Sequence, residues 1–126
     1  MAKRNILFVL GTRPEAIKLA PLILKCKSLP DLFEVKVYLT GQHKEMLYQV
    51  LSFFQIAPDT ENLGMKHNQT LFDVTMNVLS GMEKVLENYT PDFVVVQGDT
   101  TSAFAGALAA YYKKIKKICK QIIALS

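Results

Sequence analysis

Two short polar segments carry the side chains of this sequence that could do chemistry. The first reads Gly11-Thr12-Arg13-Pro14-Glu15. Its glycine permits a close backbone approach, a helix beginning here would offer unpaired N–H groups, and the guanidinium of Arg13 can donate two parallel hydrogen bonds to a phosphate. The segment therefore predicts an anion site, and an N-capped helix with a solvated arginine fits the spacing equally well. It matches neither the G-x-G-x-x-G dinucleotide fingerprint nor a Walker A loop.

The second segment, Gln97-Gly98-Asp99-Thr100-Thr101-Ser102, follows an apolar run. An aspartate directly after a buried strand could act as a general acid or base or bind sugar hydroxyls, or it could simply N-cap the next helix. His43, which also follows a strand-like run, could contact a ligand at the same rim or lie exposed in the first turn of a helix. His67 is expected at the surface of a polar turn. None of these groups has metal-ligand spacing, so no metal site is predicted.

Strand-like and helix-like patterns alternate around these two segments. Apolar or alternating runs predict strands at 5–10, 34–40 and 93–96, with a short strand expected near 60–63. Spacings of three and four residues predict helices at 14–24, 43–54, 70–89 and 103–112. This order predicts an α/β fold with a parallel sheet and right-handed crossovers. Ligands of such sheets bind beyond the carboxyl ends of the strands.

The start of the first helix is marked twice. Thr12 and Glu15 stand at the spacing of a capping box, and Pro14 suits the first helical position. Because a residue before proline avoids the helical region, Arg13 is the better cap position. Pro21 is expected to kink this helix, since it removes one backbone hydrogen bond.

Composition places the chain among ordinary globular domains. It has 126 residues, of which 50% are hydrophobic and 21% charged, and a formal charge of +4. Five lysines lie in the last fourteen positions, so residues 1–112 carry ten basic and eleven acidic groups. A near-neutral body with a basic tail predicts no nucleic-acid partner, and the tail is expected to be a solvated helix end. Neither a signal-peptide pattern nor an apolar run of ~20 residues occurs, which predicts no membrane partner and a cytoplasmic chain.

Four segments resemble a known family. The run from Phe8 to Leu22 resembles the opening of the non-hydrolysing UDP-N-acetylglucosamine 2-epimerases, and Thr40–Leu47, Pro91–Thr101 and Ala105–Tyr112 follow in the family's order. The likeness covers residues 5–112. It implies a Rossmann-like parallel sheet with flanking helices that is the truncated N-terminal domain of a GT-B fold, in which two such domains face each other across a cleft.

The resemblance also implies an isomerase reaction and its site. The family interconverts UDP-GlcNAc and UDP-ManNAc, a step toward surface polysaccharide, by eliminating and re-adding UDP, and it needs no nicotinamide or other cofactor. The resemblance suggests Arg13 as the diphosphate contact and Asp99 as a catalytic carboxylate. The further residues that it places in the substrate site are Gly11, Thr12, Lys18, Gln42 and His43, and a possible regulatory UDP-GlcNAc site would use Gln42, His43 and Gln69.

The likeness ends before the chain does. Family members continue into a His-x-Glu-Ala-Gly-Leu-Arg segment, whereas residues 113–126 form a divergent, lysine-rich tail. The tail is expected either to extend the preceding helix or to supply a strand near 118–125. We therefore expect residues 1–126 to be one incomplete Rossmann-like domain, inactive alone, with a bare sheet edge beside the third strand that favours a homo-oligomer. The alternatives are a GT-B glycosyltransferase or hydrolysing epimerase, and a non-catalytic fragment that binds UDP or self-associates.

Overall fold

Five parallel strands form a single sheet in the computed structural model, which describes residues 3–62, 64, 68–98 and 100–119. The strands are β1 (Arg4–Leu10), β2 (Phe33–Leu39), β3 (Thr60–Glu61), β4 (Phe93–Val96) and β5 (Lys116–Cys119). The helices are α1 (Arg13–Lys27), α2 (Lys44–Phe53), α3 (Leu71–Asn88) and α4 (Thr101–Tyr112). The predicted α/β class is confirmed, and the predicted element boundaries differ from the observed ones by a few residues.

The apolar run that predicted β1 is explained by its place at the centre of the sheet. Phe8 and Leu10 pack on one face, in a core shared with α1 and α2. Leu7 and Val9 pack on the other face, in a second core shared with α3 and α4. A strand covered by helices on both faces needs apolar side chains at every position, so it shows no alternation.

The strand order β3-β2-β1-β4-β5 places the switch point of the sheet between β1 and β4. The chain first winds outward from β1 to β3 and then crosses back to begin β4 on the other side of β1. At the amino end of this pair, Asn5 and Asp92 hold the strands together: the Asn5 N–H donates to Asp92 Oδ2 at 2.7 Å, and the Asp92 N–H donates to the Asn5 carbonyl at 2.7 Å. The carboxyl ends of β1 and β4 form the rim at which a ligand is expected.

The N-terminus of α1 differs from the sequence prediction by one residue. Thr12, with extended backbone angles, is the N-cap, and Arg13 is already helical although it precedes Pro14. The preference for Arg13 as the cap was therefore wrong. The capping box predicted from the spacing of Thr12 and Glu15 does not form either, because the Thr12 hydroxyl donates to Glu15 Oε2 at 2.7 Å and accepts no backbone N–H of the first turn. The helix continues through Pro21 and ends at Lys27, three residues beyond the predicted end.

The lysine-rich tail does not continue α4 as a helix. That helix ends at Tyr112, Lys114 takes a left-handed conformation with φ of 58°, and the chain enters β5. Strand β5 pairs in parallel with β4, from Phe93 opposite Lys116 to Val96 opposite Cys119. The expectation of a bare sheet edge beside β4 was therefore wrong, because the tail itself forms the neighbouring strand. This strand begins at Lys116, two residues before the strand that was predicted as the alternative near 118–125. The predicted strand residues beyond 119 lie outside the described residues.

Candidate functional site at the carboxyl ends of the strands

Gly11 lies where the ends of two strands, β1 and β2, meet the N-terminus of α4. A Cβ atom at this position would overlap Ser102 Oγ of α4, would stand 2.5 Å from Ser102 Cβ, and would stand 2.8 Å from Thr40 Oγ1 at the end of β2. All of these separations are shorter than side-chain packing allows. Glycine is thus required here by space, and its absence of a side chain lets the β1 loop, β2 and α4 meet at one point.

A chain of hydroxyl and amide groups connects β2 to α4 beside this glycine. The hydroxyls of Thr40 and Ser102 are 3.0 Å apart, and Ser102 Oγ donates to Gln42 Oε1 at 2.6 Å. The Gln42 N–H in turn approaches Thr40 Oγ1 at 3.4 Å. These bonds fix the side chain of Gln42, which is partly exposed at the rim.

The buried carboxylate of Glu15 organises the other side of the rim. Its Oε1 accepts a hydrogen bond from the Gly11 N–H at 2.9 Å, and its Oε2 accepts from the hydroxyls of Thr12 at 2.7 Å and Thr100 at 2.8 Å. Thr100 is the N-cap of α4, where its Oγ accepts from the Ala103 N–H at 3.2 Å. The N-termini of α1 and α4 are therefore tied together at the switch point.

Arg13 is the cation nearest to this arrangement in sequence. It is the first residue of α1 and is exposed, and Lys18 is exposed one and a half turns further along the helix. The N-terminus of an α-helix carries a partial positive charge, and a guanidinium adds a full one with bidentate donor geometry. The end of α1 thus has the charge and the donors that a phosphate or diphosphate group requires.

The other predicted site residues divide into two groups. His43 is exposed, adjoins Gln42 in the chain, and N-caps α2 with a left-handed φ of 49°. Gln69 is partly buried directly before α3. Asp99 and His67 lie outside the described residues, although Gly98, with φ of 90°, and Thr100 are described on either side of Asp99.

Sequence analysis missed the residues that hold the rim together. Thr40, Thr100 and Ser102 each bond to a residue at least 60 positions away. The available signal was the cluster of small hydroxyl residues after Gly98, although Ser and Thr are also common at ordinary helix starts. Glu15 was considered only as part of a local capping box, which does not form; its bonds are instead to Gly11, Thr12 and the distant Thr100.

The other features of the described residues lie away from this rim. A cavity of about 250 Å³ opens between α3 and α4, and it is lined near the C-terminus of α4 by Ala109, Tyr112 and Lys113. The described part of the chain contains no group of three His, Cys, Asp or Glu side chains that could hold a metal ion. Among its helices, none is both long and apolar enough to cross a membrane.

The sheet order and the polar rim at its switch point define the class: a Rossmann-like α/β domain. The family profile described as UDP-N-acetylglucosamine 2-epimerase matches residues 25–118. The chain therefore belongs to the UDP-N-acetylglucosamine 2-epimerase family.

Individual relatives agree with this assignment. The chain is 50% identical over 112 residues to the UDP-N-acetylglucosamine 2-epimerase of Salmonella borreze, which covers 89% of this chain and 29% of the relative. The Bacillus subtilis enzyme of the same name is 47% identical over 115 residues, which cover 91% of this chain and 30% of the relative. The chain thus spans about 30% of the length of the curated relatives that it matches.

Solved structures confirm the fold. The UDP-GlcNAc 2-epimerase of Neisseria meningitidis bound to UDP-GlcNAc superposes with a TM-score of 0.85 at 49% identity, over 91% of this chain and 31% of that one. The Methanocaldococcus jannaschii enzyme in complex with UDP-GlcNAc and UDP gives a TM-score of 0.77 at 32% identity. The match covers 91% of this chain and 32% of that one.

Proposed function

We propose that this chain is the first Rossmann-like part of a UDP-GlcNAc 2-epimerase and binds the UDP portion of UDP-GlcNAc at the rim between β1 and β4. The observation that carries the proposal is the joined N-termini of α1 and α4, which place Arg13 at the switch point of the sheet. Family membership supports it, as do the two solved relatives described as complexes with UDP-GlcNAc.

The reaction that we propose for the complete enzyme redistributes bonds without any net oxidation. A base removes the proton from C2 of the sugar, the C1–O bond to UDP breaks, and a C1=C2 double bond forms. UDP then adds back to C1 while a proton is delivered to the opposite face of C2. Every electron pair remains within substrate and product, so no redox cofactor is required.

We assign roles to the predicted residues in that reaction. Arg13, with Gly11 and Thr12 beside it, stabilises the negative charge that grows on the diphosphate as the C1–O bond breaks, which is the largest electrostatic demand of the elimination. Asp99 serves as a proton-transfer group at C2.

The remaining assignments concern substrate and effector binding. Lys18 adds positive charge to the diphosphate end of the site. Gln42, held by Ser102, and His43 lie on the loop after β2, and we assign them to the substrate cleft. A second, regulatory UDP-GlcNAc site would use the same two residues together with Gln69.

We further propose that residues 1–126 form a single incomplete domain that turns over no substrate alone. The chain spans about 30% of the length of the curated relatives. In the two-domain arrangement that the resemblance implies, the opposing half of the cleft would come from the part that this chain does not cover. We propose a cytoplasmic location on the evidence of cysteine usage, since Cys26 is a free, buried thiol. No nucleic-acid or membrane partner is part of the proposal.

Titration of the chain with UDP tests the proposed site. Arg13→Ala should weaken UDP binding about 10- to 100-fold, because hydrogen bonds to charged groups contribute ~1.5–3 kcal/mol. The matched control is Arg4→Ala, which removes an arginine from the opposite end of β1, where it lies 4.0 Å from Asp92. Equal UDP affinity in the two variants would contradict the proposed site, as would an absence of UDP binding by the unmodified chain.

We also propose that two copies associate through the outer face of α3 and α4. This face carries several large apolar side chains that are exposed, among them Phe72 at 81% and Phe104 at 62%, and exposed apolar surface of this kind favours association. Light scattering should show a dimer at tens of micromolar that Phe72→Ser/Phe104→Ser converts to a monomer. The control is Phe53→Ser on α2, across the sheet, which removes a side chain that is 80% exposed. A monomeric unmodified chain would rule the interface out.

A further inference from the structure

Glu15 is a buried acidic side chain that joins two loops from distant parts of the chain. It is 2% exposed, and its three hydrogen-bond donors are the Gly11 N–H and the hydroxyls of Thr12 and Thr100. Thr100 is 85 positions away in the sequence. Burial of a carboxylate is costly unless its oxygens are hydrogen-bonded, and these three donors satisfy both oxygens.

The chemistry of a carboxylate fixes the direction of these bonds. A carboxylate only accepts, so the hydroxyls of Thr12 and Thr100 must both point their protons toward Glu15. The lone pairs of Thr100 Oγ then face away from Glu15, and one of them receives the Ala103 N–H in the first turn of α4 at 3.2 Å. Glu15 thereby sets the N-terminus of α4 relative to that of α1.

We propose that Glu15 is a positioning residue for the nucleotide site: it holds the N-terminus of α1, which carries Arg13, against the N-terminus of α4 at Thr100. The inference rests on the proposed function, because the diphosphate of UDP is the ligand that this alignment serves. A guanidinium and a helix terminus recognise one anion together only while their relative position is fixed. Loss of the bond from Thr100 to Glu15 leaves each loop intact but frees one from the other.

The test compares substitutions of Thr100 in the full chain by UDP titration. Thr100→Val removes the hydroxyl and both of its hydrogen bonds, to Glu15 and from Ala103, with little change of shape. It should weaken UDP binding about fivefold, the equivalent of ~1 kcal/mol. Thr100→Ser keeps the hydroxyl and should restore affinity to within about twofold of the unmodified chain. Thr70→Ala controls for a lost helix cap, since Thr70 caps α3 with its own hydroxyl and should leave UDP affinity unchanged.

Amide hydrogen exchange gives a second readout that needs no ligand. Thr100→Val should speed exchange of the Gly11 N–H, which bonds to the other oxygen of Glu15, whereas Thr100→Ser and Thr70→Ala should not. If Thr100→Val binds UDP as tightly as Thr100→Ser while Arg13→Ala binds weakly, the positioning role is overturned and the proposed function stands. If the unmodified chain binds no UDP, the proposed function fails in this chain. If the exchange rate of the Gly11 N–H is also unchanged in Thr100→Val, the coupling of the α1 and α4 N-termini through Glu15 is overturned as well.

Discussion

Replacement of Gly11 by alanine should destabilise the domain through a steric conflict that the structure locates. The new methyl group would overlap Ser102 Oγ and stand 2.5 Å from Ser102 Cβ and 2.8 Å from Thr40 Oγ1. Overpacking costs ~1–3 kcal/mol. Displacement of Ser102 also weakens its bonds to Thr40 and Gln42, each contributing ~1 kcal/mol. The free energy of unfolding, measured by urea denaturation followed by circular dichroism, should fall by about 2–4 kcal/mol.

A double-mutant cycle separates this steric cause from a general intolerance of change at position 11. Ser102→Gly removes both Ser102 atoms in the conflict. The free energy of unfolding of Gly11→Ala/Ser102→Gly should therefore be about 2 kcal/mol higher than the sum of the losses in the two single variants predicts. Ser102→Ala is the matched control, because it retains the Cβ atom that lies 2.5 Å away and should give little rescue. Equal rescue by the two second substitutions, or a loss below ~0.5 kcal/mol for Gly11→Ala alone, would refute the packing explanation.

Three further predictions follow from other parts of the molecule. Thr70→Ala should lower the free energy of unfolding by ~1 kcal/mol because it breaks the capping box of α3; Thr75→Ala, which removes only a hydroxyl bonded back to the Leu71 carbonyl, should change it little in the same urea titration. Burial raises the pKa of Tyr38 from 10.0 to about 12, so the folded state resists ionisation and stability should fall as the pH rises from 10 to about 12. Unfolding curves of Tyr38→Phe should fall less steeply over that range, and parallel pH dependences would contradict this assignment. The unmodified chain should convert no UDP-GlcNAc to UDP-ManNAc above background in a chromatographic assay, and any enzyme-dependent product would show that the chain is catalytically sufficient.

The fold was predictable from the sequence wherever burial determines residue type. The run Phe93–Val96 is apolar at every position because helices cover β4 on both faces, and its bounds were predicted without error. The start of the helix predicted at 70–89 was also close to the observed one, because the capping box of Thr70 and Asp73 joins groups within one helical turn. Local spacing suffices when the interacting groups are near in the chain.

Features that depend on distant contacts were predicted poorly. The α1 cap was assigned to Arg13 from the preference of residues before proline, but the bonds of Glu15 decide it. Strand β5 carries two adjacent lysines and has little intrinsic strand character, and its conformation comes from pairing with β4. The roles predicted for Arg13 and Asp99 rest on resemblance and stay predictions until the UDP titration is done.

The central position of β1 has a consequence for how the molecule is made. This strand precedes both of its neighbours in the chain, and one of them, β4, begins only at Phe93. Arg4–Leu10 therefore lacks one of its two neighbours until β4 has been synthesised, and the reciprocal bonds between Asn5 and Asp92 cannot form before then. Pairings of such large sequence separation slow folding and lengthen the exposure of an apolar strand. The strand order accordingly delays completion of the sheet until residues far along the chain have been made.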